Sequence, residues 1–225
     1  MPIRFKHRLL VSSLAAAAVL LGGCAAPAKH DYTAFRAAKP ASILVLPPVN
    51  ESPDVNATFS MLAQTTQPLA EGGYYVIPVT LAHETFQQNG LTNAADIHEV
   101  SVSKLKEIFG ADAALYIKIT RYGSTYTVLS SAAIVSAEAR LVDLSTGTLL
   151  WSGRASASSD EGNNNNGGGL AGLLVSAIVK QIMNNVTDAS HTVAGITSFR
   201  LLSAGTPNGL LYGPRSPHYG KDNTN

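Results

Sequence analysis

Three short constellations in this 225-residue chain carry residue types that do chemistry in other proteins. His83-Glu84-Thr-Phe-Gln87 stops one residue short of H-E-x-x-H, the helical pattern that turns two imidazoles toward one zinc ion. Gln87 stands where the second imidazole would, and no histidine-rich stretch replaces it, so no metal is expected. Ser101-Val-Ser-Lys104 fits S-x-x-K, in which a lysine takes the proton of a nucleophilic serine. The S-D-N and K-T-G elements that accompany it are absent, and a helix N-cap at Ser101 accounts for the serine more simply. Gly167-Gly168-Gly169 precedes a helical pattern without the G-K-[ST] ending of a phosphate cradle, and no G-x-S-x-G occurs. The histidines at 30, 83, 98, 191 and 218 are scattered. No catalytic set and no cofactor motif emerges; a serine hydrolase using Ser101 and Lys104 is the enzymatic alternative.

The single cysteine, Cys24, asks a different question, because it comes before any candidate domain. Arg4, Lys6 and Arg8 open the chain with no acid among them, and residues 9–21 are apolar apart from Ser12 and Ser13. A spanning helix needs about 20 apolar residues, so this run suits an export signal better than a permanent anchor. An ordinary secretory signal or a span with an incidental cysteine is the bland alternative. Leu21-Gly22-Gly23-Cys24 resembles the lipobox of bacterial lipoproteins, which implies cleavage before Cys24 and acyl chains on its sulfur. Two or three chains hold a protein on a bilayer where one does so only marginally. Ala25, where an Asp would favour inner-membrane retention by the same resemblance, points to the outer membrane.

Removal of residues 1–23 takes three of the 16 Lys and Arg and none of the 15 Asp and Glu, leaving 13 cations against 15 acids. Nucleic-acid binders gather Lys and Arg on one face or arm, and here only Lys104 and Lys106 lie close in sequence, so nucleic acid is discounted. With Cys24 acylated no disulfide can form, and stability rests on an apolar core, which 45% hydrophobic residues can supply.

Residues 24–41, rich in Ala with Pro27 and Pro40, read as a lipidated tether, and 42–191 as one α/β domain. SILVL at 42–46 is a strand buried on both faces. Apolar spacing from Thr58 gives a helix kinked at Pro68 and stopped by Gly72-Gly73, and YYVIPV at 74–79 a second strand, so a right-handed parallel crossover is expected. Helices follow over 81–89 and 102–109, with Asp96 and Glu99 as a capping pair. Residues 113–128, 133–141 and 149–156 alternate as an antiparallel meander with a turn at 144–147 and a bulge at Gly123. One face is core; the other carries Lys118, Glu138, Arg140 and Arg154, as cross-strand ion pairs, a polar binding surface or a solvated face. Residues 160–169 form a loop that buries nothing. Leu170, Leu173, Leu174, Ala177, Ile178, Ile182 and Val186 make a helical stripe that reads first as core packing, with a partner groove, a membrane-surface contact or a homodimer contact as the alternatives. The Pro- and Gly-rich 192–225 reads as an extended C-terminal tail.

ILVLPPVNES at 43–52, GADAALYI at 110–117 and ARLVDLSTGTLLWSG at 139–153 resemble the first strand, a later strand and the hairpin of the TolB amino-terminal domain, LpoB and the CsgG-like lipoproteins. Over its whole length the chain is similar to a family of bacterial outer-membrane lipoproteins of unknown function, of the neisserial surface-antigen type. The resemblance implies an α/β fold with a mixed sheet of about five strands, a parallel βαβ unit followed by an antiparallel meander, packed with helices. It also implies non-enzymatic binding, assembly or regulatory work on an envelope or secretion complex, facing the periplasm and with an envelope protein as partner. A surface-exposed antigen or adhesin is the alternative.

Overall fold

The computed structural model describes residues 30–126, 131–162 and 189–222. The described residues from Asp31 onward form one unit. Its elements are α1 (Thr33–Ala38), β1 (Ser42–Val45), β2 (Val49–Asn50), α2 (Ala57–Ala63), α3 (Thr66–Glu71), β3 (Tyr75–Val76), α4 (Val79–Gln88), α5 (Ala94–His98), α6 (Val102–Phe109), β4 (Ala113–Tyr126), β5 (Ser131–Asp143), β6 (Leu149–Ser158), a 3-10 turn at Ser159–Gly162 and α7 (Ala189–Leu202). The strands lie in the order β3-β1-β4-β5-β6, with β2 also paired to β4. β1 runs parallel to β3 and β4, and β4, β5 and β6 are antiparallel. The mixed sheet is thus as expected, with a sixth strand because Val49 and Asn50 pair with Lys118 and Ile119.

The apolar run in β1 serves two cores. Ile43 and Val45 join Phe35, Met61, Leu69, Leu115, Ile117 and Trp151, under α1, α2, α3 and α7. Leu44 and Leu46 join Phe86, Ile97, Leu105, Ala114 and Leu144, under α4, α5 and α6. In the meander only the first core continues, so β5 alternates Val135, Ala137, Ala139 and Leu141 inward with Glu138 and Arg140 outward. The β4–β5 register shifts between Ile119 and Arg121, three residues before the expected bulge at Gly123. The extra residue, Thr120, reverses the alternation, so that Arg121 is exposed and Tyr122 is buried.

Local signals hold where two agree. Ser101 caps α6 through Lys104 N–H, and Gly110 ends it in the left-handed region at φ 64°. α5 is capped by Asn93, whose side chain accepts from Ala95 N–H, and not by the Asp96 and Glu99 pair. The helix expected to kink at Pro68 is two helices broken at Gln64-Thr65, with Pro68 in the first turn of the second, where its missing N–H is harmless.

Both ends of the domain lie beyond the predicted limits. The tether predicted for 24–41 already folds at Tyr32 and Phe35, which are 5% and 3% exposed, and α1 carries the latter into the core. The extended tail predicted for 192–225 begins as α7, which buries Val193, Ala194, Leu201 and Leu202 on the sheet. Only beyond it does the chain become an irregular strap. Gly213 N–H donates to Gly72 O at 2.8 Å and Arg215 N–H to Gly73 O at 3.1 Å. A Cβ on Gly213 would meet Gly73 O at 2.6 Å, so two glycines permit this backbone contact. Tyr32, Tyr74 and Trp151 donate to the strap's carbonyls at Gly209, Leu211 and Asn208. Cys24, residues 163–169 of the loop and the stripe at 170–186 lie outside the described residues.

Two polar clusters tie the layers. Asp112 Oδ2 accepts from Ala41 N–H, Ser42 N–H and Ser42 Oγ at 2.9–3.0 Å, and its Oδ1 from Lys106 Nζ at 3.3 Å. In the first core Tyr122 OH donates to Ser60 Oγ at 2.7 Å, Ser60 Oγ meets His191 Nδ1 at 2.8 Å, and Gln64 meets His191 Nε2 at 2.9 Å. β4, α2 and α7 are joined through one hydroxyl.

Partial burial would raise the Asp112 pKa, but the bonds from Ser42, Ala41 and Lys106 outweigh it and hold the carboxyl below its ordinary 3.8. Its contribution to stability is therefore complete above that ordinary value and lost as pH falls through the depressed native one. Thermal unfolding is expected to show the melting temperatures of the native chain and Asp112→Asn converging as pH drops from about 5 to about 3. Ser60→Ala removes a partner from both Tyr122 and His191, and urea unfolding should show a loss of about 1–3 kcal/mol.

Candidate functional site

Because α4, α5 and α6 cover β1 and only the first part of β4, the same face of the meander is left open. Register arranges it in rows. Tyr116, Arg140 and Ser152 lie side by side across the three strands, then Lys118, Glu138 and Arg154, then Arg121, Ser136 and Ser156. All except Tyr116 and Ser136 are exposed. The Arg140 guanidinium stands 5.7 Å from the centre of the Tyr116 ring, and the His98 ring meets that ring edge-on at 5.2 Å. Burial lowers the His98 pKa, opposed in part by its hydrogen bond to Pro47 O. Below Arg140, Ser136 Oγ and Ser156 Oγ bond across strands at 2.8 Å.

The ion pair formed on this face is Lys118 Nζ to Glu51 Oε1 at 2.9 Å, and not a pair with Glu138. The Glu51 hydrogen bond and charge hold the Lys118 pKa above its ordinary value. Four cations, Lys118, Arg121, Arg140 and Arg154, thus meet two acids, Glu51 and Glu138, in a chain whose charges otherwise nearly balance. Guanidinium groups on a rigid sheet present planar, fixed donors that match carboxylates or phosphates. Such a face can hold an anionic partner in register; by itself it breaks no bond.

The residues singled out for chemistry are not brought together. Ser101 Oγ caps its helix, while Lys104 Nζ lies 3.1 Å from Glu107 Oε1 and Oε2, so the lysine's charge is met by a carboxylate and not by the serine. His83 lies on α4 with Glu84 and Gln87, and among the described residues no three His, Cys, Asp or Glu gather as metal ligands. The pair that most resembles an activated nucleophile, Ser60 and His191, is 131 positions apart and carries no motif. Ser60 is 9% exposed within a helix, and the second imidazole nitrogen meets the amide of Gln64 where a triad has a carboxylate. Its geometry serves packing.

The chain matches the family model described as "Putative lipoprotein GNA1162-like" over residues 30–215. It is 55% identical over 185 residues, 82% of this chain and 85% of the relative, to "Putative lipoprotein NMB1124/NMB1162" of Neisseria meningitidis serogroup B (strain ATCC BAA-335 / MC58). The crystal structure of lipoprotein GNA1162 from Neisseria meningitidis superposes with a TM-score of 0.53 at 60% identity, covering 65% of this chain and all of that one. A more distant likeness, to the LpoB C-terminal domain from Salmonella enterica, has a TM-score of 0.37 at 21% identity over 52% of this chain and 82% of that one. The chain belongs to the GNA1162-like family of lipoproteins, whose function is unknown.

Proposed function

We propose that this chain is a lipid-anchored, non-enzymatic binding component of the bacterial envelope. It is held at the outer membrane through acyl chains on Cys24 and faces the periplasm, where it engages an envelope protein. The observation that carries this reading is the open face of β4, β5 and β6, whose Arg140, Arg154, Arg121 and Lys118 are solvent-facing on a rigid sheet. A partner with clustered acidic side chains fits it. The lipobox-like pattern before Cys24, with Ala25 after it, and membership of a lipoprotein family support the anchor. Among the described residues no helix is long and apolar enough to cross a membrane. The separation of Ser101 from Lys104 by the Glu107 ion pair supports a role in binding over hydrolysis.

Metabolic labelling with palmitate is expected to mark the native chain and to leave Cys24→Ser unlabelled; persistent label in the variant would refute the anchor. Crosslinking in intact cells should recover one specific envelope protein, and the double variant Arg140→Glu, Arg154→Glu should lower that recovery about tenfold, the equivalent of about 1.4 kcal/mol. Equal recovery with reversed charges, or recovery of porin and lipid background alone, would overturn the docking face.

A further inference from the structure

α1 and the strap enclose a cavity of about 350 Å³ at the end of the domain where the folded chain begins. Its floor is made by buried Phe35, Tyr74 and Leu211, and its rim by exposed Arg36, Lys39 and Tyr219. Lys39 closes α1 in the left-handed region at φ 45°, a position that glycine or asparagine usually takes, and so sets an ammonium group on the rim. Pro40 completes this wall just before β1, whereas Val49, which pairs with Lys118, follows the carboxyl end of β1. The cavity and the Lys118 row therefore lie toward opposite ends of that strand.

The lining selects for a phosphate beside an apolar surface. The ammonium groups of Lys39 and of Lys221, which stands between the lining residues Gly220 and Asp222, are on exposed side chains and meet no partner among the described residues. The Arg36 guanidinium stands 5.9 Å from the centre of the Tyr32 ring. The acid in the lining, Asp222, accepts the Tyr212 N–H at 2.8 Å, and the cations around it outnumber it. Tyr219, 44% exposed, joins an apolar ring to a polar tip, the combination that settles between water and lipid. Asp31 lies seven residues after Cys24, a reach of at most about 25 Å at full extension. The end that carries Arg36 and Lys39 is thus kept beside whatever surface holds position 24, and cationic side chains at an anionic lipid surface are drawn to it.

We propose that this end of the domain docks on the bilayer that holds Cys24, with the phosphate of an anionic phospholipid headgroup at the cavity between Lys39 and Arg36 and the Tyr219 ring at headgroup level. The contact rests on the anchor proposed above for its position and on the lining for its charge. It turns Lys118 and Arg121, toward the other end of the sheet, away from the lipid and toward a partner.

The test is hydroxyl-radical footprinting of the full chain on vesicles of phosphatidylcholine alone and on vesicles with roughly one-third phosphatidylglycerol. Phe59, 57% exposed on α2 and grouped with Pro47 and Val49 beyond the carboxyl end of β1, is the reference. Oxidation of Tyr219 relative to Phe59 is expected to fall about fivefold on the anionic vesicles. It should return to the phosphatidylcholine value in the double variant Lys39→Glu, Lys221→Glu, at two exposed positions outside the core. Flotation on phosphatidylcholine alone reports the anchor by itself. A chain that floats there, yet shows no protection of Tyr219 by anionic lipid, keeps the anchor and overturns the docking. A chain that floats only on anionic vesicles, and loses this in the double variant, refutes the anchor and keeps the docking; floating on neither overturns both. Unaltered protection in the double variant overturns the docking as well. So does equal protection by inorganic phosphate on phosphatidylcholine vesicles, which assigns the cavity to a soluble anion.

Discussion

Ile43, Leu44, Val45 and Leu46 point alternately into two cores, and both have to be supplied from elsewhere in the chain. A parallel strand reached by crossovers is covered on each side by the connections themselves, and an antiparallel meander needs no such cover. The rest of the architecture follows from that difference. Helices α2 and α3 must lie on one face and α4 to α6 on the other to join β1 to β3 and β4. The hairpins from β4 to β6 then leave one face bare, because their turns are too short to carry a helix across it. The charged face is a consequence of that chain path, found where the crossovers cease.

What could be read from the sequence was what a single local rule controls. The continuous run at 42–46 and the alternation at 133–141 need only side-chain parity, and both strands are there. The limits of α6 come out to the residue because Ser101 and Gly110 mark its two ends chemically. α1 escaped because its burial depends on two aromatic residues in an Ala-rich stretch without period. α7 escaped because its buried side includes Ser190, Thr192, Thr197 and Ser198, hydroxyl residues that look solvent-facing in a sequence. Thr197 stays buried by donating to Val193 O, four residues back, at 2.9 Å.

The candidate sites divide in the same way. The cationic rows were visible as the outward half of an alternating pattern, although their ion pair was not, since Glu51 arrives from the loop just after β2 and not from a neighbouring hairpin strand. The bulge at Thr120 was missed by position, and it decides that Arg121 belongs to the open face and Tyr122 to the core. The cavity of about 420 Å³ beyond β1 had no sequence signature, because it is assembled from the loop after β1, the start of α2 and the α4–α5 region. His83 drew notice there for a zinc pattern it does not complete. That its buried Nδ1 has no hydrogen-bond partner among the described residues is a property of packing that no spacing records.

The strap carries an implication for how the molecule is made. Tyr32, among the first residues of the folded unit, donates its hydroxyl proton to Gly209 O, 177 positions later, and Trp151 and Tyr74 likewise bond to the closing residues. During synthesis Tyr32 emerges well before residues 208–211, the strap positions that these side chains meet. The hydrogen bonds from Tyr32, Tyr74 and Trp151 cannot form until residues 208–211 have been delivered, so this seam of the fold is sewn only after the sheet's strands have all been made.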